Sequence, residues 1–121
     1  MNLMNGMFNV YKISMLCKED LLMLRCIVMH EKDDMATVLS PVKPGDELEI
    51  IDRVFALKGH ITASAEIPFA HKIALRSIAR GEAVVKCGEI IGKATQDIPQ
   101  GDYLHVHNVQ SLAGTHSVKE A

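Results

Sequence analysis

The sequence lacks several features that would assign it to common classes of protein. It has no tryptophan and only 4% aromatic residues, so Val, Ile, Leu, Ala and Met have to supply its core. Lys and Arg number 13 against 15 Asp and Glu, and without a basic excess nucleic acid and anionic membrane surfaces are poor candidates as partners. No phosphate-cradling motif of the form GxGxxG or GxxxxGK[ST] occurs.

The cysteines are also few, and none belongs to a CxxC pair. Cys17, Cys26 and Cys87 are widely spaced and odd in number, which indicates buried thiols in the reducing cytoplasm rather than a disulfide framework or a zinc knuckle. Cys87 is predicted to be a packing residue, because no activating Cys–His arrangement surrounds it in the sequence. Charged residues 18–20 interrupt the Met-rich N-terminal segment too early for a membrane span, and we expect neither a signal peptide nor an anchor.

From residue 24 onward, short apolar or alternating runs are separated by Gly, Pro and Asp, which predicts a mainly β domain. A length of 121 residues suits one domain. We expect residues 1–23 to be a poorly defined extension, residues 24–112 to form the domain, and residues 113–121 to be a C-terminal tail. A short helix over residues 18–25 is the alternative for the N-terminal segment.

One turn pattern recurs along the chain. An aliphatic residue, two variable residues, a small residue and a polar residue follow one another at residues 42–46, 67–71, 78–82 and 98–102. The aliphatic residue can enter the core while the small residue turns the chain into the next strand. The intervals are unequal, which argues against a solenoid. The third copy leads into a predicted hairpin that turns at residues 87–89.

The stretch YLHVHNVQ, residues 103–110, places His105 and His107 two apart among apolar residues. On a strand both imidazoles would project from one face, roughly 6.6 Å apart, while Leu104 and Val106 would face the core. Such a pair, flanked by Asn108, can co-ligate a metal ion or hold the carboxylate and hydroxyl of a substrate. The alternative is a solvated strand face whose histidines only hydrogen-bond to their neighbours.

The stretch HKIALRSIARGEAVVKCGEIIGKATQDIPQGDYLHVHN, residues 71–108, resembles the SAF domain of the altronate/galactarate dehydratase family. The resemblance lies in the HK pair, the spacing of the glycines and the HVHN sequence. With the upstream acidic turn, residues 31–34, it extends over residues 24–112. Two positions depart from the family: Leu104 replaces the usual Val, and Ala70 stands where Gly generally precedes HK. We expect the turn at Ala70 to avoid a positive φ.

The resemblance implies a β-clip (SAF-type) fold of short strands and a partner protein. In fused family members this domain precedes a much larger dehydratase domain. The implied function is the small subunit of a hydroxy-acid lyase, an altronate dehydratase-type enzyme that eliminates water from a sugar acid and is inactive without its large catalytic subunit. The alternatives are the alpha subunit of (2R)-sulfolactate sulfo-lyase, in which sulfite leaves, and a non-catalytic sugar-acid-binding or assembly module. Exposed strand edges would favour self-association.

Eliminating a leaving group beside a carboxylate needs a base, an acid and support for an enolate-like transition state. Within the family frame, His71, His105 and His107 are the candidate catalytic residues. His105 and His107 are also candidate ligands of a divalent cation, Fe²⁺ or Mn²⁺, shared with the large subunit, which would stabilise the developing charge.

Four further residues are candidates for substrate binding: His30, Lys72, Lys86 and Asn108. For the two lysines and His30, an exposed loop or surface role is the ordinary alternative. His71 and Lys72 would point to opposite faces of a strand. The acidic pair Asp33 and Asp34 either binds a cation or forms a charged turn.

Overall fold

A computed structural model describes residues 23–112, which form nine short strands. The strands are β1 (Leu24–Ile27), β2 (Met35–Val38), β3 (Glu47–Ile51), β4 (Leu57–Thr62), β5 (Lys72–Ala74), β6 (Ala83–Lys86), β7 (Glu89–Ala94), β8 (Tyr103–Leu104) and β9 (Val109–Ser111). The mainly β prediction is confirmed. Across residues 23–112 there is no helix with the length and apolar character needed to cross a membrane.

The predicted extension and tail lie outside the described residues, except for Met23. The same holds for most of the alternative helix over residues 18–25. Its last two residues, Leu24 and Arg25, belong to β1. That part of the helix prediction is therefore wrong, because β1 pairs with both β2 and β3.

The strands form two sheets, one with the order β4-β3-β1-β2-β5-β8 and one with the order β6-β7-β9. β1 and β3 are parallel, and the other pairs are antiparallel. Two clusters of buried side chains make up the core. The larger includes Val42, Leu48 and Ile67, and the smaller includes Ile78 and Ile98.

The four predicted turns share one backbone geometry. In each, the amide of the last residue donates to the carbonyl of the second: Asp46 to Lys43, His71 to Pro68, Glu82 to Ala79 and Asp102 to Pro99, over 3.0, 3.1, 2.9 and 3.1 Å. The aliphatic residue that begins each turn is at most 1% exposed. The prediction that these turns plug the core and redirect the chain is confirmed.

The turns associate in twos. Val42 and Ile67 exchange a pair of backbone hydrogen bonds, and Ile78 and Ile98 do the same. The first pair belongs to the larger buried cluster, and the second pair belongs to the smaller one. The chain therefore uses the same turn-pair arrangement twice, once for each part of its core.

Ala70 shows that the expected avoidance of positive φ is wrong. Its φ is 71°, close to the 94°, 88° and 89° of the glycines at the same position in the other three turns. The Ala70 amide donates to the carbonyl of Val38, and the Val38 amide donates to the carbonyl of His71. These bonds, with the one that closes the turn, hold alanine in a conformation that its side chain disfavours.

The β6–β7 hairpin is present where the sequence predicts it. Lys86 pairs with Glu89, so the turn residues are Cys87 and Gly88, whose φ angles of 53° and 80° fit a two-residue turn of type I′. Cys87 is exposed at the tip. The prediction that it packs in the core is wrong, because a two-residue hairpin turn points its side chain to solvent. Cys26 is buried, as predicted.

The acidic pair before β2 holds this hairpin in place. The Asp33 carboxylate accepts hydrogen bonds from the amides of His30 (3.1 Å) and Gly88 (2.8 Å). The Asp34 carboxylate accepts from Arg76 Nε (2.6 Å) and from the Val85 amide (2.8 Å). Of the two roles considered for these aspartates, the structure shows the charged turn, and both side chains are buried.

Candidate functional site

Three histidines and a tyrosine lie together where β5 begins and β8 ends. His71 immediately precedes β5, and Tyr103 opens β8, which pairs with β5. We call His71, Tyr103, His105 and His107 the histidine cluster. Its rings lie in contact: the centroids of His71 and His105 are 5.0 Å apart, and those of Tyr103 and His107 are 5.4 Å apart. The three predicted catalytic histidines are thus brought to one place.

The backbone of this site differs from the predicted strand. β8 ends at Leu104, residues 105–108 form a turn, and β9 begins at Val109. Leu104 is buried as predicted, but Val106 is 82% exposed, so the prediction that it faces the core is wrong. The prediction that His105 and His107 share one face of a strand is also wrong, because both residues lie in this turn. Instead, both of their rings pack against the ring of Tyr103.

Asn108 is the reason for the turn. Its side chain is fully buried, its Oδ1 accepts from the His105 amide (3.0 Å), and its Nδ2 donates to the Tyr103 carbonyl (2.8 Å). Asparagine favours turns because its short amide can replace a backbone partner in this way. The structure therefore places Asn108 beneath the turn, where it positions His105, rather than at the surface with a substrate.

The cluster faces outward. His105 and His107 are exposed, and their ring nitrogens make no hydrogen bond to another residue between 23 and 112. Two large apolar residues are exposed beside them in the sequence, Val106 within the turn and Phe69 (61% exposed) two residues before His71. The ring nitrogens are thus available for a substrate or a metal ion.

No group of three or more His, Cys, Asp or Glu side chains within the described part of the chain is arranged to hold a metal ion. Metal binding by His105 and His107 stays a prediction, and further ligands would have to come from elsewhere.

Tyr103 is the member of the site that the sequence did not reveal. Its hydroxyl oxygen lies 2.6 Å from Nδ1 of His71, and its ring stacks on His105 at 5.5 Å with 16° between the planes. Its position two residues before His105 is a weak signal. The contact with His71 depends on the pairing of β5 with β8, which joins segments some thirty residues apart.

Lys72 begins β5 directly after His71, and Lys86 ends β6. Lys72 Nζ contacts the Ala70 carbonyl at 3.3 Å. Burial, and then the positive charge of Lys86, lowers the pKa of the Lys72 ammonium group. A nearby anionic group would offset the repulsion between these two positively charged side chains.

His30 lies apart from the cluster. It is exposed, its Nδ1 accepts a hydrogen bond from the Lys32 amide (3.1 Å), and its ring packs over Gly88. It lines a cavity of about 610 Å³ together with Met29, Arg53 and Lys58. None of the four residues of the histidine cluster lines this cavity.

Comparison with known proteins agrees with these features. The sequence model of the altronate/galactarate dehydratase SAF domain matches residues 24–112. Altronate dehydratase of Bacillus subtilis is 35% identical over 85 residues, which cover 70% of this chain and 16% of that protein. The (2R)-sulfolactate sulfo-lyase subunit alpha of Chromohalobacter salexigens is 35% identical over 88 residues, which cover 69% of this chain and 92% of that subunit.

Altronate dehydratase of Escherichia coli is 31% identical over 88 residues, which cover 73% of this chain. The chain spans less than a fifth of either altronate dehydratase, with 16% and 17% of their lengths matched. By contrast, it matches most of the sulfolactate sulfo-lyase subunit.

Proposed function

Because the chain belongs to the altronate/galactarate dehydratase SAF domain family, we propose that it is the small subunit of a hydroxy-acid lyase of the altronate dehydratase type. It eliminates water from a sugar acid together with a separate large catalytic subunit and is inactive alone. The observation that carries the proposal is the histidine cluster, in which three imidazoles pack around one tyrosine and two of them face outward.

The cluster supplies groups that an elimination needs. Imidazole changes charge near neutral pH, so it can take the proton next to the carboxylate or support the leaving hydroxyl. With ring centroids 5.0 Å apart, His71 and His105 can both touch a single small substrate. Lys72 and Lys86 bind the carboxylate in this proposal, since an anion relieves the repulsion between the two ammonium groups.

A divalent cation, Fe²⁺ or Mn²⁺, fits the exposed nitrogens of His105 and His107, because imidazole is a ligand for both metals. The large subunit would provide the remaining ligands. When bound, the cation would stabilise the negative charge that develops beside the carboxylate.

The large subunit would also cover this surface. Val106 and Phe69 are 82% and 61% exposed, and large apolar side chains grouped beside polar ones are typical of interaction sites. The name of the Chromohalobacter relative describes it as one subunit of a larger enzyme. We place the assembled enzyme in the cytoplasm, where the free thiols of Cys26 and Cys87 would remain reduced.

The test is to produce this chain together with a large dehydratase subunit from the same genome and to assay dehydration of altronate. We expect negligible activity from the chain alone and turnover from the two subunits together. The double variant His105→Ala/His107→Ala should abolish turnover while the subunits still assemble. His60→Ala, which removes an exposed histidine of β4, is the control and should leave turnover intact. Full turnover in the double variant contradicts the catalytic role.

A second candidate is the alpha subunit of (2R)-sulfolactate sulfo-lyase. The share of each relative that is matched favours this candidate, because the match covers 92% of the Chromohalobacter subunit but only 16% of the Bacillus altronate dehydratase. The two reactions differ in the leaving group. Measuring sulfite release from sulfolactate in the same two-subunit preparation distinguishes them.

The third alternative, a non-catalytic module, makes a different prediction. Calorimetry of the isolated chain with altronate, galactarate and sulfolactate, with and without Fe²⁺ or Mn²⁺, tests whether it holds an acid on its own. Binding that survives replacement of both His105 and His107 would favour the accessory role over the catalytic one.

A further inference from the structure

We propose that Tyr103 is a positioning residue whose hydroxyl donates to Nδ1 of His71 and thereby keeps the proton of the neutral imidazole on Nε2. In the lyase proposed above, His71 then offers an Nε2–H donor to a substrate oxygen, and a group other than His71 has to act as the base. The catalytic part rests on the proposed function. The tautomer of His71 is a property of this chain alone and can be measured without a partner.

Backbone hydrogen bonds fix the positions of both Tyr103 and His71. The Tyr103 amide donates to Asp102 Oδ1 (2.8 Å), and the Tyr103 carbonyl accepts from Asn108 Nδ2 (2.8 Å). On the facing segment, the His71 amide donates to the Pro68 carbonyl (3.1 Å). The pairing of Ile73 with Tyr103 then sets the two segments side by side. The separation of 2.6 Å between Tyr103 Oη and His71 Nδ1 therefore follows from the fold.

The direction of this hydrogen bond follows from the chemistry of the two groups. A phenol with a pKa near 10 keeps its proton at neutral pH, so it always has one hydrogen to donate. A neutral imidazole carries one hydrogen on one of its two nitrogens and accepts at the other. Nδ1 of His71 lies within hydrogen-bond distance of the Tyr103 hydroxyl oxygen and, in this proposal, accepts its hydrogen. When Nδ1 accepts, the hydrogen lies on Nε2.

The ring of Tyr103 has a second, separable task. It stacks on His105 and is tilted by 56° against His107, so it spaces the other two imidazoles. Tyr103→Phe removes the hydroxyl and retains this packing. Tyr103→Leu removes both. The two variants therefore separate the effect of the hydrogen bond from the effect of ring contact.

The first measurement is the ¹⁵N spectrum of the imidazoles in the uniformly labelled chain at about pH 8.5, where histidine is mostly neutral. We expect His71 to show the Nε2–H tautomer alone in the wild-type chain. In Tyr103→Phe it should move toward the mixture shown by His60, an exposed histidine of β4 that serves as the reference within each spectrum. An Nδ1–H tautomer in the wild-type chain, or the same His71 signals in both chains, overturns the proposal.

The second measurement is turnover by the two-subunit enzyme. We expect Tyr103→Phe to lower kcat about tenfold or more with KM changed less than twofold, because the hydroxyl orients a group that acts during the reaction. Tyr103→Leu should lose more. Unchanged kcat in Tyr103→Phe would remove the positioning role. If no lyase activity is found with any partner, the proposed function fails, while the ¹⁵N result still decides the tautomer.

Discussion

Two polar regions of this domain both contain ionisable side chains but use them in opposite ways. In the loop of residues 30–34, Asp33 and Asp34 are 8% and 5% exposed, and both carboxylates are occupied by backbone amides or by Arg76. In the histidine cluster, the imidazoles of His105 and His107 have no hydrogen-bond partner among residues 23–112. Buried and paired charges hold the hairpin, whereas exposed and unpaired rings are available for chemistry.

The largest effect on stability is expected at Asp34. Asp34→Ala removes the acceptor of Arg76 Nε and of the half-buried Val85 amide, which should lower the free energy of unfolding by about 3 kcal/mol. The Arg76 side chain is half exposed, so water can replace part of the interaction that its guanidinium loses. Urea unfolding measures the change. Glu31→Ala, which removes an exposed carboxylate of the same loop, is the control and should change stability by less than about 0.5 kcal/mol.

A smaller loss is expected at Asn108, which belongs to the supporting part of the histidine cluster. Asn108→Ala removes two partly buried hydrogen bonds and leaves the His105 amide and the Tyr103 carbonyl without these partners, at a cost of about 2 kcal/mol. Turnover should also fall, because the turn no longer fixes His105. Gln110→Ala, at an exposed position of β9, is the matched control for unfolding by urea. Equal stability of the two variants would contradict the role of Asn108 beneath the turn.

The exposed histidines should contribute little to stability. We expect His105→Ala and His107→Ala each to change the free energy of unfolding by less than about 0.5 kcal/mol, while turnover by the assembled enzyme is lost. The same urea titration measures this. A loss as large as that of Asp34→Ala would place these histidines with the architectural residues and would remove the contrast between the two regions.

Cys26 and Cys87, the two cysteines among the described residues, should differ in their reactivity toward iodoacetamide. Burial raises the pKa of the Cys26 thiol to about 12, so Cys26 should not react with iodoacetamide at pH 8 while the chain is folded. Cys87 is exposed and should react. In a Cys17→Ser background, mass spectrometry of the digested chain identifies the labelled residue. Labelling of Cys26 at the rate of Cys87 would contradict its burial.

The raised pKa of Cys26 also sets a pH dependence. Burial favours the neutral thiol in the folded chain, and the ordinary pKa of a cysteine thiol is 9.0. Its contribution to stability is therefore complete below about pH 9 and is lost as the pH rises from there toward 12.

Local sequence patterns predicted the turns and the hairpin well. The aliphatic, small and polar positions of the four turns each encode a local requirement, namely burial, a positive φ and a bend, so neighbouring residues are sufficient to identify them. Ala70 was the exception, because its backbone is held by Val38, a residue of another strand. The family and the mainly β class followed from the same local spacing.

Long-range partners could not be predicted in this way. Asp34 bonds to residues 42 and 51 positions away, and His71 to a tyrosine 32 positions away. The period-two pattern of LHVHN predicted a strand, but the side chain of Asn108 replaced the strand ladder with its own hydrogen bonds. His105 and His107 both lie in a turn and contact Tyr103, whereas their catalytic role stays a prediction.

Ala70 has a further consequence for His71. Alanine at a φ of 71° costs about 1 kcal/mol relative to glycine, because its side chain disfavours this backbone conformation. The hydrogen bonds that Val38 makes with Ala70 and His71 hold the turn against this cost, so the backbone position of His71 depends on β2. The other three turns carry glycine at this position and precede acidic residues.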